Sequence, residues 1–249
     1  MLESQLAKAG EPEAAEANDV IATLVELTRT GPLALGTFTT AQILAVNGPA
    51  PGLPVPEPAV LAEAVRGLVA RGMAVPVTGS DEIDVQGDLG LVLTIQHRSR
   101  LLIDVVFRGR GEAQAWHLVL LPQPEGVTLV GTIDPLGLHH LTMHVTGDAV
   151  ARLEKELPRG RAAEVADDRP IEDQIRRADA SALVSVVRFS DSAAIGSTDL
   201  ALLRAGEVLR VLRRSADDAQ SWDDLRLDHA GALAAIAELA APLLDQPGT

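Results

Sequence analysis

The 249-residue chain has no cysteine, no tyrosine, two tryptophans, three phenylalanines and only two lysines, Lys8 and Lys155. Each scarcity excludes something. Without cysteine there is no disulfide, no thiolate nucleophile and no Cys-ligated metal. Aromatics are 2% of a composition that is 47% hydrophobic, so the core must be built from Leu, Val, Ile and Ala. No apolar run reaches the roughly 18 residues that a membrane-spanning helix needs, so no membrane insertion is expected. The opening MLESQLAKAGEPEAAEAND carries acids and lacks the apolar region of a signal peptide, which points to a cytoplasmic protein. Positive charge is also scarce. The net charge of −14 repels phosphate backbones, and arginines cluster only at 108–110, 176–177 and 213–214. No nucleic-acid partner is expected on that basis.

Catalytic signatures are missing too. No G-x-S-x-G marks a hydrolase nucleophile, and no G-x-x-x-x-G-K cradles phosphates. GRGEAQ (109–114) starts like a dinucleotide loop, but Gln114 stands where the third glycine belongs, and strand-like runs flank it on both sides. The acid pairs Asp167-Asp168, Asp217-Asp218 and Asp223-Asp224 fall in polar loops, where solvated turn residues are the default. The chain therefore reads as non-enzymatic, with no catalytic residue, no metal and no cofactor.

What is present has a clear order. Residues 1–17 form an Ala/Glu-rich lead expected to be disordered, and 18–249 a single α+β domain opened by a helical segment, 18–75. NDVIATLVELTRTG offers Asn18 or Asp19 as a helix cap and Gly31 as a stop. TFTTAQILAVNG offers Thr39 or Thr40 as cap and Gly48 as end. PAPGLPVPEP (49–58) is too rich in proline for regular structure. AVLAEAVRGLVARGM is an amphipathic helix with Val60, Leu61, Val65, Leu68 and Val69 on one face and Gly72 as C-cap. LLIDVVFRGR, AWHLVLLPQ, GVTLVGTID and LHHLTMHVT then alternate with turn residues, as antiparallel strands do, and GDAVARLEKELP returns to helical period.

The second half repeats this order. ALVSVVRFSDSAAIGSTDLALLRAGEVLRVLRRS, then DLRLD as a fourth strand and HAGALAAIAEL as a helix, follow the first half at an offset near 80 residues. Val105-Val106-Phe107 matches Val186-Val187 with Arg188-Phe189, and the Gly126 turn matches Gly206. The halves are approximately 87–158 and 169–246. This predicts a twisted antiparallel sheet with flanking helices and a pseudo-two-fold internal repeat. It also decides one local ambiguity. GDLGLVLTIQHRS resembles a strand, but its counterpart RPIEDQIRRADAS has proline at a first-turn position and a helical composition, so 87–97 is expected to be helix.

Three of the six histidines lie in GLHHLTMHV. In a helix His140 and His144 would share the spacing that zinc sites use. In a strand they share a face but lie about 13 Å apart, too far for one metal, and His139 points the other way. Trp116 opens a strand and reads as a core anchor. Trp222 sits in a polar loop, where an exposed aromatic suits a partner contact. TTAQILAVNG followed by AVLAEAVRGLVARGMAVPVTGSDEIDV has the helix, helix, hairpin order of a winged helix, yet its second helix carries only Arg66 and Arg71 against Glu63.

LVARGM, the run LLIDVVFRGRGEAQAWHLVLL, the hairpin around PEGVTLV, a closing helix and a related second half together resemble the EspG-like chaperones of type VII (ESX) secretion. The similarity covers about residues 55–245. It implies a cytosolic, non-enzymatic chaperone that binds a protein partner, namely small helical secreted proteins of the PE/PPE or WXG100 type. By analogy the partner-binding residues are Arg108, Arg110 and Glu112 after the first repeat strand and Asp191 and Ser192 after its counterpart, with Trp222 added as the exposed aromatic. The alternatives are a winged-helix transcriptional regulator with an effector-binding sheet, and an interaction or immunity protein with another partner.

Overall fold

A computed structural model describes residues 11–48, 55–79, 83–109, 115–167, 169–190, 193–215, 218 and 220–241. The chain begins with α1 (Glu11–Thr30) and β1 (Leu33–Thr39). Helix α1 starts at Glu11, upstream of the caps expected at Asn18 and Asp19, and so includes residues 11–17 of the expected lead. Pro12 sits in its first turn, where a missing N–H costs nothing. Strand β1 is not visible in the sequence. Gly36, at φ +106, interrupts its alternation and carries a bulge in its pairing.

Helix α2 (Thr40–Asn47) starts on the expected threonine. The Thr39 hydroxyl accepts from Gln42 N–H at 3.1 Å, and the Gln42 side chain accepts from Thr39 N–H at 3.0 Å. This reciprocal capping box satisfies two N–H groups that the helix leaves open. Helix α3 (Pro58–Ala70) begins on a proline at its first position. It ends in a Schellman motif, with Gly72 N–H on Val69 C=O and Met73 N–H on Leu68 C=O. Its buried residues are Ala64 and Leu68, with Leu61 and Val65 half-buried beside them. Val60 and Val69, expected in the same stripe, stay exposed because α3 packs on α2 along a narrower seam. A two-stranded hairpin follows, β2 (Ala74–Pro76) and β3 (Ile83–Val85). Then comes α4 (Gly87–Arg98), a helix as the comparison of halves predicts, burying Leu89, Val92, Leu93 and Ile95.

The remaining elements are β4 (Leu101–Gly109), β5 (Trp116–Pro122), β6 (Val127–Ile133), β7 (Leu138–Val145), α5 (Thr146–Glu156), β8 (Arg161–Ala162), α6 (Ile171–Arg177), β9 (Ala180–Ser190), β10 (Ala193–Ala205), β11 (Val208–Arg214), β12 (Trp222–Asp224) and α7 (His229–Ala240). Among the described residues ten strands form one sheet in the order β1-β7-β6-β5-β4-β9-β10-β11-β12, with β8 beside β11. Every pair is antiparallel except β8 with β11. The fold class is thus α+β. The two meanders meet at its centre, where β4 pairs with β9 from Leu101↔Arg188 to Gly109↔Ala180. A helix leads into each meander and another closes it. The expected strand DLRLD is cut short, because only Asp224 belongs to β12. Leu225 and Leu227 both turn toward the core beneath α7, and Arg226 between them takes φ +51, so the alternation there is not that of a strand.

The sheet buries both faces unequally. On one face Leu101, Ile103, Val105 and Phe107 of β4 join Val184, Val186, Leu200 and Leu202 under α5 and α7. Trp116 stacks on Phe107 there, with ring centroids 4.3 Å apart, as a core anchor. The other face carries two separate clusters. One lies between β1, β5, β6 and β7 and helices α1, α3 and α4, and the other between β10, β11 and α6. In the middle of this second face, Asp104, Val106, His117, Leu183, Ser185 and Val187 are only half-buried.

Candidate functional site

The strand register brings polar side chains into one row across the second face. Asp104 pairs with Ser185, and Ser185 with Asp199. The Ser185 hydroxyl donates to Asp199 Oδ1 at 2.8 Å, and Arg214 Nε donates to Asp199 Oδ2 at 2.7 Å. The Arg214 guanidinium lies over the Trp222 ring, 4.7 Å from its centroid. On the other side His117 Nδ1 stands 3.4 Å from Asp104 Oδ1. Serine, histidine and aspartate share this face, but the Ser185 proton points at a carboxylate whose other oxygen is held by Arg214. The row thus links Ser185 through Asp199 and Arg214 to the Trp222 ring.

Next to the row, a cavity of about 340 Å³ opens between the sheet and α6. Its floor is Val106, Leu183, Ala201 and Leu203, α6 contributes Ile171, Glu172 and Ile175, and Arg108, Arg214 and Trp222 stand at its edge. Two of the sequence-predicted partner-binding residues, Arg108 and Trp222, therefore meet at one site. Trp222 is not the exposed loop aromatic expected. It opens β12, is half-buried, and packs against Ile171, Ile175 and Leu183. The other four, Arg110, Glu112, Asp191 and Ser192, lie outside the described residues. The strand ends leading to them are far apart, because β4 and β9 run in opposite directions. Gly109 and Leu101 mark opposite ends of that ladder, about 26 Å apart at 3.3 Å per residue. Ser185 and Asp199 escaped the sequence reading, where their only signal is a polar residue at an alternate strand position, and Arg214 figures there only within the 213–214 arginine pair.

The histidines of β7 divide as a strand requires. His140 and His144 face one way, and His139, 8% exposed, faces the other. Thr40 Oγ1 donates to Gly137 C=O at 3.1 Å, so it must accept from His139 Nε2–H at 3.0 Å. Burial pushes the His139 imidazole down to about 4, with a repulsive contribution from His117. His140 lies 3.2 Å from Thr37 Oγ1 and 3.4 Å from Asp134 Oδ2. His144 lies 3.0 Å from Thr142 Oγ1, and burial lowers its pKa. Among the described residues no group of three or more His, Asp or Glu side chains could hold a metal.

Of the acid pairs, Asp167, Asp218 and Asp224 bond to neighbouring groups. Asp167 accepts from the Arg169 side chain, which holds its carboxyl at about 2. Asp223 and Asp224 lie in β12 rather than a loop, because β11 extends far enough to pair with them, and Asp224 is bonded to Arg210. The helix, helix, hairpin segment forms as α2, α3 and β2–β3, but Arg66 is paired with Glu63, and Arg71 lies 5.6 Å over the Phe38 ring. Among the described residues no helix is long and apolar enough to cross a membrane. Neither protein-family models nor curated proteins match the chain.

Proposed function

We propose that the chain is a non-enzymatic, cytosolic chaperone or adaptor that binds a protein partner on the second face of its sheet. The carrying observation is the central strip of that face, where Val106 and Val187 stay half-buried beside Leu183 and Trp222 at the margin of the α6 cluster, with Arg108 at the edge. Half-buried aliphatics flanked by an arginine and a tryptophan have the composition of a contact patch. The likeness to EspG-like chaperones names the partner class as small helical secreted proteins of the PE/PPE or WXG100 type. The α+β sheet flanked by helices is the architecture that likeness implies.

The test is co-expression with a PE/PPE heterodimer and, separately, a WXG100 pair, followed by size exclusion and calorimetry. A stoichiometric complex that weakens about tenfold in Arg108→Glu and in Trp222→Ala supports the proposal. Failure of both pairs to bind removes the secretion reading, and binding indifferent to both variants moves the contact off this face. The winged-helix reading retains one specific observation, the formation of α2, α3 and β2–β3 in order. Retention of duplex DNA at low salt, lost in Arg66→Glu, would favour it.

A further inference from the structure

The cavity beneath Trp222 has chemistry that a protein contact patch does not require. It holds about 340 Å³, inside the range of roughly 300–1,000 Å³ that small-molecule sites occupy. Its floor is aliphatic, from Val106, Leu183, Ala201 and Leu203. Of its three charged groups, Arg214 is already neutralised by Asp199 and stacked on Trp222, so it acts as a rigid wall. The other two are opposite in sign and come from different elements, Arg108 from the end of β4 and Glu172 from the first turn of α6. Neither side chain has a hydrogen-bond or ion-pair partner among the described residues, and they do not pair with each other although both line the same space.

We propose that this cavity is a site for a small zwitterion with an apolar body, a free amino acid of the leucine class being the simplest. The apolar side chain lies on the aliphatic floor. The carboxylate meets the Arg108 guanidinium, whose fork of donors matches it. The ammonium meets the Glu172 carboxylate. A fatty acid would leave Glu172 without a counter-charge, and a simple amine would leave Arg108 without one, so only a ligand with both charges answers the whole rim. Trp222, fixed by the Ser185–Asp199–Arg214 chain, closes one side. The site shares Arg108 and Trp222 with the contact patch proposed above, but it adds Glu172 and the aliphatic floor and does not depend on the partner named there.

The experiment is calorimetric titration of the full chain with L-leucine, leucinamide and N-acetyl-leucine, the last two each lacking one charge. L-Leucine is expected to saturate, and each neutralised analogue to bind about tenfold more weakly. Arg108→Gln should weaken leucine and N-acetyl-leucine but not leucinamide. Glu172→Gln should weaken leucine and leucinamide but not N-acetyl-leucine. Both side chains are exposed, so neither substitution threatens the fold, and circular dichroism verifies that. Trp222 emission provides a second readout, since the chain has only one other tryptophan. No saturable heat with leucine up to about 10 mM, equal affinity for the three compounds, or indifference to both variants would overturn the proposal.

Discussion

His139→Gln tests the buried end of the histidine cluster. In the folded chain this imidazole is neutral, packed between β7 and the first turn of α2, and donates through Nε2 to Thr40. Protonation would place a charge on a buried ring with His117 nearby, so its pKa falls from 6.5 to about 4. The sign follows from proton counting. Below 6.5 the unfolded chain takes up a proton at this residue, while the folded chain does not until about 4. The stabilisation is therefore complete above 6.5, declines as pH falls from 6.5 to 4, and is flat below. The full decline is about 3 kcal/mol at 1.36 kcal/mol per pH decade. Glutamine keeps a polar atom for Thr40 and removes the titration. Urea unfolding of both proteins from pH 8 to pH 4 gives the difference in stability at each pH. The wild type is expected to lose ground to the variant across that window. A difference constant to within about 0.5 kcal/mol would mean that His139 titrates alike in both states, and the argument from burial would fail.

Two further outcomes follow from local geometry. Asp199→Asn weakens the hold on Arg214 and frees Trp222, so tryptophan emission should shift to the red while Trp116, stacked on Phe107, stays unchanged, with a stability loss near 1 kcal/mol for this partly exposed pair. An unshifted spectrum would show that α6 alone orients Trp222. Gly72→Ala places a Cβ in open space but at φ +69, so its cost is conformational alone, about 1 kcal/mol by thermal unfolding, and a neutral result would mean that the turn after α3 relaxes.

The features legible in the sequence are those that local chemistry enforces. Thr39 caps α2 because its hydroxyl and Gln42 satisfy each other's backbone N–H groups within four residues. Strands β4 to β7 follow from β-branched runs between turns, and α4 followed from the composition of its counterpart in the second half. The site was half legible. Arg108 and Trp222 could be singled out as residue types, but nothing linear says that strands 78 residues apart at Arg108 and Val186 belong to one sheet centre, or that Ser181, the partner of Arg108, opens toward α6. The failures share one cause. Strand β1 exists because β7 offers it an edge, DLRLD stops at Asp224 because Leu225 and Leu227 are drawn to the core under α7, and Trp222 is half-buried because Asp199 positions the arginine that covers it.

By itself the sequence determined an aliphatic core, the α+β class, most helix ends and the absence of familiar catalytic motifs, since these depend on residue type and short spacing. Only the tertiary structure decided the register at β4 and β9, the burial of His139, and the cavity where Arg108, Glu172 and Trp222 converge. Those depend on long-range pairing, in which a shift of one residue would turn every side chain of a strand to the opposite face.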